Sequence, residues 1–175
     1  IHQELGRLDG ITVAMVGDLA NGRTVRSLAY LLGKFSGIRL RLIAPAELAM
    51  RDDIKEYLRR HGLEFLETED FAKGSQDADV IYLTRIQLER MTDAQKNAMH
   101  ARQLYTVGPE QVAAFKPGAI LMHPLPRNQE IASSVDDDAR AVYFRQAGNG
   151  MFVRMALLDW ICNGFIDGYP SSQRL

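Results

Sequence analysis

Three arginines stand where a chain could use them to hold an anion. Arg85 directly follows the apolar run Ala78 to Thr84, Arg127 follows His123-Pro124-Leu125-Pro126, and Arg23 opens a helical pattern after Gly17-Asp-Leu-Ala-Asn-Gly22. Gln87 lies two residues beyond Arg85 and shares its side if the chain stays extended. A guanidinium is a planar fork that matches a carboxylate with two parallel hydrogen bonds. Three such forks and an amide at the ends of three predicted strands ask for a small ligand with more than one carboxylate. The competing reading is a set of unrelated surface arginines. A cation in the first turn of a helix runs against the helix dipole, so Arg23 adds weight to an anionic ligand.

The stretch Ala119-Ile-Leu-Met-His-Pro-Leu-Pro-Arg127 carries a second kind of chemistry. Ala119 to Met122 reads as a buried strand. Pro124 and Pro126 stop it, because each lacks a backbone N–H and fixes φ. The rigid turn presents carbonyl oxygens in set directions to a ligand N–H. Read alone, it is a stiff strand-to-helix turn. His123 beside it serves either as a structural hydrogen-bonder or as a base. None of His2, His61, His100 and His123 has a Ser or Cys partner at a recognisable spacing, so the site favours a reaction run by positioning and electrostatics. Gly17 to Thr24 has the spacing of a phosphate-cradling loop, but Arg23 occupies the lysine position and Asp18 puts a negative charge where phosphates would lie.

These residues need strands to bring them to one edge. Continuous apolar runs at Ile11–Val16 and Ala78–Thr84, with Arg39–Ala44 and Leu63–Leu66, read as strands. Leu104–Val107 and Val142–Phe144 are short and β-prone. Between them, Thr24–Phe35 (capped by Thr24), Ala46–Arg60 (closed by His61-Gly62), Phe71–Gln76, part of Met91–Arg102 and Pro109–Phe115 read as helices. Ser133 or Ser134 caps a short acidic helix through Asp136, Asp137 and Asp138, whose charges complement its dipole. Gln146–Asn163 is apolar around most of its circumference, which predicts a buried helix, one face of it awaiting a further domain. Strands alternating with helices at this spacing mean an open parallel sheet, an α/β fold.

Composition bounds the rest. The chain has 175 residues, 46% hydrophobic and 25% charged, with a net charge of −1, which is ordinary for one globular domain. Neither a nucleic-acid partner nor a membrane surface is suggested. The single Cys162 excludes an intrachain disulfide and a cysteine-based zinc site, and a cytoplasmic setting is the default. The polar, helix-like opening from Ile1 reads as the continuation of something longer.

Four motifs in order resemble the aspartate carbamoyltransferase catalytic chains: Val16-Gly-Asp-Leu19 with Gly22-Arg-Thr-Val25; Tyr82-Leu-Thr-Arg-Ile-Gln87 with Glu89-Arg90; Met122-His-Pro-Leu-Pro-Arg127 with Glu130-Ile131; and Tyr143-Phe-Arg-Gln-Ala-Gly-Asn-Gly150. The resemblance covers the family's second half. It implies a Rossmann-like three-layer αβα domain over residues 1–175 that binds the amino acid, with the N-terminal carbamoyl phosphate domain absent. It implies that Arg23 and Arg85 hold the carboxylates of L-aspartate and that Gln87 helps to orient it. Pro124, Leu125 and Pro126 are similar to the backbone site for the carbamoyl amide and the attacking amine, supported by His123, Arg127 and Glu130. The implied reaction joins L-aspartate and carbamoyl phosphate into N-carbamoyl-L-aspartate and phosphate, the entry to pyrimidine synthesis. It uses no metal or organic cofactor, and the complete chain forms a homotrimer. No residue is assigned a covalent or acid–base role, and this half alone is expected to be inactive. Ornithine carbamoyltransferases resemble it less, since there a Cys follows the turn's His and here Pro124 does. A non-catalytic amino-acid-binding module remains the alternative class.

Overall fold

Thr12–Val16 forms strand β1, and all five residues are buried. A strand wholly out of water must be covered on both faces, and its neighbours do the rest. The computed structural model describes residues 1–86 and 105–163. Helix α1 is His2–Leu5, followed by β1, α2 (Arg23–Leu32), β2 (Arg39–Ile43), α3 (Asp52–Arg60), β3 (Glu64–Thr68), α4 (Phe71–Ser75), β4 (Val80–Leu83), α5 (Pro109–Ala113), β5 (Ile120–Met122) and α6 (Tyr143–Asn163). Among the described residues the strands make one parallel sheet in the order β3-β2-β1-β4-β5. Val13 pairs with Leu40 on one side and with Val80 on the other. The chain therefore builds outward from β1 through β2 and β3, then returns to place β4 and β5 on the opposite side. β1 and β4 flank the point where the direction reverses.

Side chains alternate across the sheet with period 2. Val13 and Met15 join the core beneath α2 and α3, with Val25, Ala29, Leu32, Ile54 and Leu58. Ala14 and Val16 face the other core, with Ile81, Leu83, Val112, Phe115 and Tyr143. This is the expected three-layer arrangement. At the amino end of the sheet the buried Asp79 carboxylate accepts the Thr12 N–H at 2.8 Å and pairs with Lys116 at 2.6 Å.

Several sequence expectations need correction. Ala46–Arg60 is not one helix: Ala46–Leu48 is a 3-10 turn, and Ala49 and Arg51 are extended before α3. The Leu48 carbonyl, needed to continue a helix, instead accepts the N–H groups of Leu19 and Ala20 at 3.1 and 3.0 Å. Asp52 and Asp53 then open α3 with the charge its dipole favours. α2 starts at Arg23 with Gly22 before it and no side-chain cap, so Thr24 does not cap it. Val142–Phe144 is not a strand; Ala141 makes a single bridge to Leu121, and Tyr143 begins α6. Ser133–Val135 is a single uncapped 3-10 turn. Its aspartates serve side chains rather than a dipole, Asp136 pairing with Arg127 and Tyr143 and Asp138 with Arg140. Val107 makes one bridge to Ile131. The expected helix within Met91–Arg102 lies outside the described residues.

The largest departure is α6. Only Tyr143 is buried, and Phe152, Val153, Met155, Leu158 and Ile161 are each more than half exposed. Its early residues tie it down: Arg145 pairs with Glu4 at 2.9 Å, and Asn149 bonds Gln3 at 3.2 Å. Beyond them the apolar side chains of Phe152, Val153, Met155, Leu158 and Ile161 stand out from both cores.

Candidate functional site

An open parallel sheet leaves a crevice at the carboxyl ends of its strands where the chain reverses direction, because the loops there diverge. The reversal here is between β1 and β4. The cavity at that place is about 280 Å³, lined by Gly22, Arg23, Thr24, Thr84, Arg85, His123, Pro124, Leu125 and Pro126. Its three walls follow β1, β4 and β5.

The first wall needs two glycines. Gly17 has φ +110, and a Cβ there would meet the Thr84 carbonyl oxygen at 2.5 Å. The ends of β1 and β4 approach this closely only without a side chain. A Cβ on Gly22 would meet the Asp18 carbonyl oxygen at 2.5 Å, so the loop folds back tightly on itself to launch α2. Asp18 does not face the cavity, contrary to the sequence reading. It is fully buried, and Oδ1 accepts the Asn21 backbone N–H at 2.9 Å and its amide at 3.2 Å. Asn21 in turn accepts from Arg51 at 2.9 Å. The carboxylate ties the loop so that Arg23 emerges at its end. Arg23 is exposed and has no carboxylate partner among the described residues. Arg85, half-buried, follows Thr84, whose hydroxyl donates to the Val16 carbonyl at 3.0 Å.

The third wall is a built turn. His123 is 1% exposed. Its Nδ1 accepts the Leu125 N–H at 2.9 Å, and its Nε2 meets Glu130 Oε1 at 3.0 Å. Glu130 Oε2 accepts the Asn128 N–H at 3.1 Å. Burial pushes the Glu130 carboxyl up, but the hydrogen bonds from His123 and backbone N–H groups outweigh this and hold it below its ordinary value. Leu125 takes a positive φ of 43, and the Leu125-Pro126 bond is cis. With its ring fully engaged by the protein, His123 acts as a brace rather than a base.

The structure thus brings Arg23, Arg85, His123, Pro124, Leu125 and Pro126 to one cavity. Arg127 does not line it. Its guanidinium donates to the Ile131 carbonyl at 3.0 Å, pairs with Asp136 and lies over the Tyr143 ring at 5.7 Å. Two arginines, not three, line the cavity. Glu130 stands behind the turn, and Gln87 lies outside the described residues. Sequence reasoning passed over Thr84, Thr24 and Gln146. Thr84 and Thr24 line the cavity, and Gln146 Oε1 accepts the His123 N–H at 3.0 Å. Thr24 and Thr84 each adjoin a chosen arginine, which was the available signal. Two guanidinium groups opposite a turn of fixed carbonyls can hold a small dianion with an N–H group.

The family model of the aspartate/ornithine carbamoyltransferase Asp/Orn binding domain matches residues 9–161. The chain belongs to this family. The chloroplastic aspartate carbamoyltransferase of Arabidopsis thaliana is 50% identical over 165 residues, which is 94% of this chain and 42% of that relative. The multifunctional protein CAD of Squalus acanthias is 42% identical across 94% of this chain and 7% of its own length. Among solved structures, the catalytic subunit of M. jannaschii aspartate transcarbamoylase superposes with a TM-score of 0.84 at 41% identity, covering 93% of this chain and 52% of that one. Aspartate transcarbamoylase from Trypanosoma cruzi in complex with carbamoyl phosphate and aspartate gives 0.82 at 41% identity over 90% and 52%. The chain spans less than half the length of the plant relative. Sequence and fold thus agree on the family.

Proposed function

We propose that this chain is the aspartate-binding half of an aspartate carbamoyltransferase. The observation that carries the reading is one cavity at the β1/β4 reversal with Arg23 and Arg85 opposite the His123–Pro126 turn. In this reading Arg23 and Arg85 hold the two carboxylates of L-aspartate, with Gln87 orienting it. The carbonyl oxygens of Pro124, Leu125 and Pro126 receive the N–H groups of the attacking amine and of the carbamoyl amide. His123, Glu130 and Arg127 hold that turn in place. The amine nitrogen attacks the carbamoyl carbon, the C–O bond to phosphate breaks, and the amine loses a proton. The products are N-carbamoyl-L-aspartate and phosphate. What this chain supplies is orientation: two bidentate clamps and a preformed acceptor array, which can contribute several kcal/mol of barrier lowering by fixing the encounter.

Carbamoyl phosphate needs a further, N-terminal domain for its phosphate in this reading, and the exposed apolar length of α6 is a surface such a domain would cover. A homotrimer and a cytoplasmic setting are parts of the same proposal. No helix among the described residues is long and apolar enough to cross a membrane, and the plant relatives carry chloroplastic names. Steady-state kinetics on a protein joining this chain to the carbamoyl phosphate half of the Arabidopsis relative tests the proposal. Aspartate-dependent formation of carbamoyl-aspartate is expected from the joined protein and none from the 175-residue chain alone. A joined protein that folds, binds carbamoyl phosphate and carbamoylates ornithine instead would overturn the substrate assignment.

A further inference from the structure

Gln146 sits in the first turns of α6 and lines no wall of the cavity, yet it is bonded to the wall that does most to shape it. β5 ends at Met122, and the next backbone N–H, that of His123, finds no strand partner. In a residue this buried an unpaired donor is costly, and Gln146 Oε1 accepts it at 3.0 Å. Burial pushes the Tyr82 phenol up, and the neighbouring Thr24 and Gln146 side chains oppose that shift. Tyr82 lies on β4, where it is the register partner of Met122 and precedes Arg85 by three residues. Thr24 adjoins Arg23 and lines the cavity. One half-buried amide thus holds the root of the His123 turn directly, and Tyr82 of the Arg85 strand pairs in register with the residue just before it.

We infer that Gln146 is a positioning residue for the cavity, which anchors the root of the His123–Pro126 turn to α6. The part of this inference that concerns a ligand rests on the function proposed above. The turn offers carbonyl oxygens in fixed directions, and the Met122–His123 peptide that Gln146 holds is the root from which it departs. Without that bond the root of the turn is free to rotate towards another acceptor, and the array no longer matches a ligand that must also reach both arginines. The short lever explains why an amide outside the cavity governs it.

The experiment compares Gln146→Ala and Gln146→Glu in the 15N-labelled 175-residue chain. Glutamate keeps an acceptor oxygen at the same reach and loses the amide N–H. Three quantities are read: hydrogen exchange at the His123 backbone amide, the urea midpoint, and the dissociation constant for N-carbamoyl-L-aspartate. Gln146→Ala is expected to speed His123 exchange by about tenfold or more and to weaken carbamoyl-aspartate by roughly three- to tenfold, the effect of one lost hydrogen bond. Exchange in the β1 and β4 amides should stay as in the wild type. Gln146→Glu should restore slow exchange and most of the binding. If Gln146→Ala does not fold, Gln146→Asn, one methylene short, is expected to show the same loss at His123. Unchanged His123 exchange in the Ala or Asn variant overturns the inference, as does binding equal to wild type in a variant whose His123 amide has been freed. A wild-type chain that binds no carbamoyl-aspartate counts against the proposed function instead, and the positioning role is then decided by the exchange rates and their rescue by glutamate.

Discussion

His123 and Leu125, two residues apart, are joined by a hydrogen bond in which the ring accepts from the backbone: Leu125 N to His123 Nδ1 is 2.9 Å. A backbone N–H can only donate, so Nδ1 is the unprotonated nitrogen. The proton sits on Nε2, where it meets Glu130 at 3.0 Å. The imidazole is a neutral bracket between a turn and a carboxylate. His123→Ala would leave the Leu125 N–H and one oxygen of the half-buried Glu130 carboxylate unpaired, and should cost about 2–4 kcal/mol. Urea unfolding checks the cost, and long-range 15N correlation at neutral pH should show a pyridine-like Nδ1.

Acid should weaken the same bracket. The Glu130 carboxyl is held below its ordinary value, and Asp138, doubly bonded by Arg140 through its side chain and backbone, is lowered to about 2. A depressed carboxyl stabilises the fold above its unfolded value and loses that contribution as pH falls through the folded value. The ordinary values are about 4.3 for Glu and 3.9 for Asp. The urea midpoint should therefore be level above about pH 5 and fall progressively towards pH 2. Glu130→Gln keeps an acceptor for His123 and should remove part of that slope; an unchanged slope would show that Glu130 is not one of the groups responsible.

Gly17 sets the spacing between the two central strand ends. Gly17→Ala places a methyl group 2.5 Å from the Thr84 carbonyl oxygen at φ +110. Strain of this kind costs on the order of 1–3 kcal/mol, and the backbone clash puts this site at the upper end. Thermal or urea unfolding should show it. A variant as stable as wild type would mean that β1 and β4 separate more easily than the shared core suggests.

The exposed apolar length of α6 should be adhesive. Patches of this kind mark interaction surfaces. The chain should bind a hydrophobic dye or self-associate, and Phe152→Ser with Leu158→Ser should reduce both while leaving the sheet's stability unchanged. Residues this far along α6 touch neither core. A monomer with no dye binding, and with α6 protected from hydrogen exchange, contradicts this.

The parallel strands were legible because fully buried strands read as continuous apolar runs, as at Ile11–Val16 and Ala78–Leu83. The cavity's arginines were legible because each follows such a run or a Gly-flanked loop. What failed depended on tertiary partners. Ala46–Arg60 has helical spacing throughout, but the Leu48 carbonyl is claimed by Leu19 and Ala20. By spacing, Arg127 read as a fork for a ligand and Asp136 as a complement to a helix dipole, until the fold paired them with one another. α6 read as buried from its composition alone, and composition does not say whether a surface exists to cover it. Gln146 had no local signature, since the His123 amide it holds lies 23 residues away in sequence.

Succinate binding to the 15N-labelled chain tests the dicarboxylate site most directly. Titration is expected to perturb the amides of Gly22, Arg23, Thr24, Thr84, Arg85, His123 and Leu125, with weak affinity. Arg85→Ala should weaken it by about ten- to a hundredfold, the range for a charged hydrogen bond. Arg85→Lys should remain poor, because an ammonium cannot reproduce the bidentate fork. Perturbations that fall elsewhere on the sheet, or an Arg85→Ala chain that binds succinate as wild type does, would contradict the account.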